Sequence, residues 1–296
     1  MIKPKLIIAS ALLVLLSLKV GAQQLRADTT TNKQSTKSLF INAGLQYLSD
    51  LTYAGRRDAS SVPVLLPTFT LISTKGFFLS GIGYFDLNGV KSAAEGLSIT
   101  PGYVFSFDKN KYYGGAISAT KYFITDNSPI ILSSFNATVD GQLHFNPDNI
   151  IKLTVDASYR FSKQGSPNDV INDAELSKEI QLTKAGKDNK GGLKITPTVT
   201  LYSGTQSFYQ ASTSQTSSTT PLGLLSPPQT VTTGNQVRQY TILALSGSML
   251  VAYVIKTWQI SFTPYLIQPY HQVNYTTSSP QNGSYFLFTT GVSVTF

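Results

Sequence analysis

The chain has 296 residues and a formal charge of +8, yet only 13% of it is charged, where soluble domains carry about 25%. That argues against an ordinary water-facing surface, and the basic residues are scattered rather than gathered into a nucleic-acid patch. With no Cys and only two His, the composition argues against a lipoprotein anchor, a disulfide framework and a metal site, and no cofactor is expected.

The N-terminus reads as an export signal. Lys3 and Lys5 precede an apolar run from Leu6 to Leu18, and Val20-Gly21-Ala22 supplies small residues for cleavage. A single membrane anchor is the alternative, but the run falls short of the ~20 residues a spanning helix needs. Residues 1–22 are therefore expected to be a cleaved signal. Its removal takes Lys3, Lys5 and Lys19 and leaves 20 basic against 15 acidic residues, a net +5. Residues 23–38 read as a flexible periplasmic tail.

From Leu39 the chain alternates. Leu39 to Tyr47, Leu97 to Phe107 and Leu193 to Leu201 each place apolar residues on one parity. The clearest case is Ile131 to Phe145, where Ile131, Phe135, Val139 and Phe145 oppose Asn136, Thr138, Asp140 and His144. Ile151 to Phe161 repeats it, with Lys152, Thr154, Asp156, Ser158 and Arg160 on the polar face. No stretch of similar length has a helical period. Such strands suit a wall between lipid and lumen. Pro101, Pro197, Pro264 and Pro269 fall inside strands and predict local bulges. Ala174 to Ala185 is the least regular strand, because Lys178 shares the lipid parity, where mid-bilayer placement costs about 2–4 kcal/mol. Lys178 then sits near the interface, or the stretch is partly helical. A ten-strand barrel with a plug is the alternative.

Short turns alternate with long connections. The short ones are 74–76, 108–111, 146–149, 187–190 and 256–257, rich in Gly, Pro, Asn or Asp. The long ones are 55–62, 88–95, 126–129, 163–173, 211–237 and 276–284. This joins twelve strands and returns both termini to one side. The 211–237 stretch, rich in Ser, Thr and Gln, reads as a mobile surface loop or a recognition loop. Arg56 and Arg57 read as solvated, or as partners for lipopolysaccharide phosphates.

The last strand, Tyr285 to Phe296, puts Phe286, Phe288, Val292, Val294 and Phe296 on one face, with Leu287 breaking the polar face. A greasy strand ending on an aromatic resembles the closing strand of Gram-negative outer-membrane β-barrel proteins. The resemblance covers Leu39 to Phe296. It implies an all-β, antiparallel, up-and-down transmembrane barrel over 39–296, export to the outer membrane, and contact with its lipid and lipopolysaccharide. It also implies an insertion signal formed by Phe296, Val294 and Val292 and read by the barrel-insertion machinery. A soluble up-and-down barrel is the alternative architecture.

Chemistry candidates are few. Twelve-stranded barrels include outer-membrane phospholipase A, whose family site pairs His with a Ser two residues on. Here His144 is followed by Phe145-Asn146 and His271 by Gln272-Val273, so that resemblance fails and no enzyme is expected. Gly81 and Gly83 are too few for a phosphate loop. If the 146–149 turn keeps faces matched, Asp140 lies opposite Asp156, Asn136 opposite Arg160, and His144 opposite Lys152. These six form a candidate lumen constriction, or a salt-bridged network that stiffens the barrel. The functional expectation is a narrow passive channel for small solutes. The alternative is a plugged barrel that presents its outside loops to a partner.

Overall fold

The computed structural model describes residues 38–57, 62–88, 94–125, 128, 135–147, 150–163, 168–183, 191–216, 229–270 and 283–296. The signal and tail expected over 1–38, apart from Ser38, and the turn at 187–190 lie outside them. The strands are β1 (Leu39–Leu48), β2 (Thr52–Tyr53), β3 (Arg56–Arg57), β4 (Val64–Ser73), β5 (Phe77–Asp86), β6 (Ala94–Ser106), β7 (Tyr113–Ile124) and β8 (Phe135–Phe145). There follow β9 (Lys152–Ser162), β10 (Asp169–Ser177), β11 (Ile180–Thr183), β12 (Gly192–Thr216), β13 (Gln229–Ile255), β14 (Trp258–Pro269) and β15 (Tyr285–Thr295). All but β2 and β3 form one antiparallel sheet. It closes where Ala43 of β1 meets Val294 of β15. β10 and β11 both pair with β12 and act as one interrupted strand, so the wall is a closed twelve-stranded barrel. The eighth strand starts earlier than its sequence pattern suggested: Asp169 to Asp173, read as loop, already belong to it.

Prolines explain the interruptions, and they do not make bulges. The β10 ladder ends at Ser177↔Thr198 and β11 resumes at Ile180↔Ile195 in unchanged register. Pro197, which has no N–H to give, lies between. Its carbonyl still accepts the Lys178 N–H at 3.2 Å. Pro101 opens a similar gap against β7, and Pro264 against β13, again without a register shift. Pro269 ends β14, paired with Ala244. Shifts occur elsewhere: between Phe135 and Ala137, between Tyr84 and Phe85, and opposite Tyr202 and Ser203, where Leu243 is the extra residue.

The outer face is apolar. Phe69, Leu79, Ile99, Ile117, Val155 and Leu266 are all exposed, and no strand Asp or Glu among the described residues points outward. At the short-turn end, aromatic rings pair between neighbouring strands: Phe77 with Tyr103 at 4.8 Å and Tyr113 with Phe145 at 5.0 Å. An apolar band with an aromatic girdle is the surface of a barrel in lipid, and the short-turn end faces the periplasm. Lys178 lies level with the start of β9, since its neighbour Ser177 pairs with Lys152. That is the interface position, where a lysine costs little.

The turns follow local chemistry. Lys256, at a φ of 54°, makes a two-residue hairpin between β13 and β14. Gly76 has a φ of 96°, and a Cβ there would meet the Val104 carbonyl at 2.2 Å. The stretch read as a loop over 211–237 is largely paired: the β12–β13 ladder runs on to Thr216↔Gln229. Its Thr and Val have strand propensity, and a ribbon needs only its partner strand rather than a core of its own.

Candidate functional site

The barrel interior divides by height. Toward the long-loop, outer end, most inward positions are apolar: Leu66 of β4, Tyr84 of β5, Tyr122 of β7, Phe135 of β8, Ile267 of β14 and Leu287 of β15 are buried in one cluster. Leu287, which broke the alternation of the last strand, belongs to this core. The first outside connection completes it. Leu51 is 3% exposed and Ala54 1%, and the β2–β3 turn reaches into the lumen as far as β13 and β12. A Cβ on Gly55 would lie 2.2 Å from the Ala244 Cβ and 3.3 Å from Tyr202. The turn is held at its base, where Asp50 accepts the Val62 N–H at 3.0 Å. Leu51, Ala54 and Gly55 therefore form an apolar stopper in the outer mouth.

Toward the periplasm most inward positions are polar, the buried pair Ile72 and Phe78 across β4 and β5 being apolar. Thr100 and Thr120 share a hydroxyl hydrogen bond of 2.9 Å, as do Thr70 and Ser80. Tyr84 marks the boundary, its hydroxyl 3.0 Å from Ser98. The charges gather on the β8–β12 wall. Asp140 accepts hydrogen bonds from Ser158 and, at 3.0 Å, from Thr138. Gln142 Nε2 donates to Asp156 at 2.6 Å. Lys194, buried, pairs with Glu179 at 3.2 Å. Arg160, 1% exposed, sits at the top of this zone with its guanidinium 5.6 Å from the Phe135 ring centroid, a cation–π distance.

The pairings expected across β8 and β9 are displaced by two residues. Asp140 lies opposite Ser158, Gln142 opposite Asp156, Thr138 opposite Arg160 and His144 opposite Thr154. Lys152 pairs with Ser177 of β10 instead of His144. The cause is the turn. The Ile150 N–H bonds the Pro147 carbonyl at 3.0 Å, so Ile150 and Ile151 are used by the turn and the first pair is Phe145↔Leu153. Asn136 does not join the lumen set. It is the extra residue of the β8 irregularity, it is exposed, and it accepts a hydrogen bond from outward-facing Lys121. Asp156 does face an acid, but on its other side: Asp173 of β10. Directly opposed carboxylates destabilise unless they are relieved, and the bond from Gln142 to Asp156 does part of this.

Sequence reasoning missed Asp173 and Glu175, and left Lys194, which it placed on the polar face of its strand, out of the constriction; all three are buried on this wall. The signal was present in the Asp173–Glu175–Ser177 alternation, hidden by treating 163–173 as loop. His144 lies beside Gly114 and Thr154, and His271 lies outside the described residues. At the seam, Val292 and Phe296 are exposed on the outer face, and the Phe296 N–H donates to the Ile41 carbonyl at 2.9 Å.

No protein-family model matches the chain, and no curated protein matches it. Among solved structures it is similar to the KdgM porin at 9% identity and a TM-score of 0.46, covering 87% of this chain and 99% of that one. It is similar to the NanC porin at 11% identity and 0.47, covering 86% and 98%. An outer membrane channel from Pseudomonas putida F1 is similar at 13% identity and 0.47, covering 90% and 100%. What assigns this chain to the outer membrane is its own geometry. A closed barrel is the only way for strands to cross lipid with every backbone group paired, and the outer face carries an apolar band and no strand carboxylate among the described residues. The protein is an outer-membrane β-barrel.

Proposed function

We propose that this protein is a narrow channel for small solutes whose outer mouth is closed by its first outside connection. One observation carries the reading. The periplasmic half of the interior is lined mostly by hydroxyls and charges, while the seal above it is made in part by a separate hairpin, Thr52 to Arg57, not by the wall alone. A wall meant only to be filled has no need of a separate piece at the mouth. Polar groups placed inside a membrane-spanning shell ordinarily mark a solute path.

A second reading rests on a different observation. Thr100, Thr120 and Thr154 are almost wholly buried, as in a barrel packed for stiffness that presents its outside loops to a partner. Planar-bilayer recordings separate the two. The refolded full chain is expected to give rare or no current steps, and a variant lacking residues 52–57 is expected to give reproducible steps. An inserted, folded deletion variant that stays silent overturns the channel and leaves the packed barrel. We also read Phe296, Val294 and Val292 as the insertion signal. The outward exposure of Val292 and Phe296 supports this, and Phe296→Ser is expected to slow assembly in membranes without changing the folded barrel.

A further inference from the structure

The membrane-facing wall between β10 and β15 is not flush. A groove of about 610 Å³ crosses it, lined by Leu176, Val199, Met249, Leu266 and Phe286. Its origin is a missing side chain. Leu176, Val199, Gly247, Leu266 and Phe286 are successive partners across β10, β12, β13, β14 and β15. All five take outward positions, and a Cβ added to Gly247 would meet nothing within 4 Å. A row of large apolar side chains thus has a gap at its centre. Pro197 and Pro264, which interrupt the ladders on either side of β13, also line it.

One end of the groove is charged. Lys178 lines it and is exposed. The next residue, Glu179, turns inward to Lys194 at 3.2 Å, so successive side chains part company and the Lys178 ammonium is left on the lipid side at the level where β9 begins. No ion pair reaches it among the described residues. From there the row climbs away from the periplasmic rim, because barrel strands tilt by about 35–45°.

We propose that this groove binds one phospholipid of the periplasmic leaflet, with an acyl chain along the Leu176–Phe286 row and the phosphate at the Lys178 ammonium. Charge complementarity selects this occupant. The surface faces the bilayer, its cation sits at head-group height, and the rest of the lining is apolar. A second copy of the chain fits less well, since no strand carboxylate among the described residues points outward to meet Lys178.

Native mass spectrometry of the detergent-solubilised full chain with added phosphatidylglycerol tests this. Folded protein is first confirmed by its heat-modifiable gel mobility. Wild type is expected to retain one phosphatidylglycerol. Gly247→Leu, which fills the gap, is expected to lose it. Lys178→Gln, which alters only an exposed side chain and so keeps the test valid if the filled groove does not fold, is expected to bind about fivefold more weakly, the usual effect of one cation at a lipid surface. Equal retention by wild type and Lys178→Gln overturns the proposal. So does a two-chain species in wild type that vanishes in Gly247→Leu with no lipid adduct, which assigns the groove to a second copy.

Discussion

The outer and periplasmic halves of the interior are built from the same strands yet obey opposite rules. β5 contributes Tyr84 and Ile82 to an apolar cluster above and Ser80 to a polar wall below. β14 contributes Ile267 above and Thr263 and Gln259 below. The outer half is held by packing, in which burial of each large side chain contributes about 1.5–3 kcal/mol. The periplasmic half is held by hydrogen bonds between neighbouring strands, each worth only about 1 kcal/mol net but costly to break singly. The hairpin from the β1–β4 connection packs against the first half at Ala54 and Gly55. The hairpin and the polar wall are therefore separable features of the interior.

The sharpest way to break that separation is to unseat the hairpin. Gly55→Val places a Cβ where Ala244 already stands, on a backbone with a φ of 75°. Backbone strain and overpacking together predict a loss of roughly 2–5 kcal/mol, or expulsion of the turn. Urea titration in lipid vesicles reads the first, and bilayer current reads the second. No change in either would mean the tip is not seated against β13.

The two halves differ as much in how legible they were. The lipid face could be read directly, because alternation such as Phe286, Phe288, Val292 and Phe296 records a physical boundary that every strand meets. The count of twelve followed from the turns. The polar inner wall was visible in Thr196, Thr200, Asp156 and Arg160. What stayed hidden were pairings set by backbone detail. Pro147 builds a turn that takes up two more residues than the sequence suggests, and one extra residue at Asn136 moves it to the other face. The stopper was hidden for another reason: Leu51 and Ala54 lie in a segment with no period. Its trace was in the parity violations Leu287, Ile267 and Leu66, which put apolar groups on the lumen face near the outer ends of strands.

A matched pair of substitutions sharpens the packing contrast. Leu66→Ala in the outer half is expected to cost about 2–5 kcal/mol through the cavity it leaves. Thr100→Val in the periplasmic half strands the buried Thr120 hydroxyl and is expected to cost about 1–3 kcal/mol. Adding Thr120→Val should recover most of that loss, since removing both partners can be nearly neutral. Equilibrium unfolding of the three variants checks both arms. A Leu66→Ala cost below that of Thr100→Val would refute the division of labour.

The charged wall offers a smaller effect. In the variant lacking residues 52–57, Asp156→Asn removes one of two facing carboxylates, Asp156 and Asp173. The cation-over-anion permeability ratio is expected to fall by about fivefold, the effect of roughly 1 kcal/mol for one charge at close range in water. Reversal potentials in a salt gradient measure it. An unchanged ratio would place the passage away from the β9–β10 wall.

The smallest effect lies outside both halves, in the β6–β7 turn. Desolvation raises the Asp108 carboxyl, but the backbone N–H groups of Tyr113, Tyr112 and Asn110 together outweigh it and hold it below the usual carboxylate range. Two of these bonds measure 2.8 and 3.1 Å. Because the folded value is depressed, the stabilisation is present above the unfolded pKa of about 3.9 and is lost as pH falls through the folded value. Asp108→Asn should therefore lower stability slightly at neutral pH and match wild type in strong acid. The group is solvent-exposed, so the difference is small. A variant that differs from wild type equally at both pH values would mean that the turn is held by its backbone, with Lys111 at a φ of 58°, and not by the carboxylate.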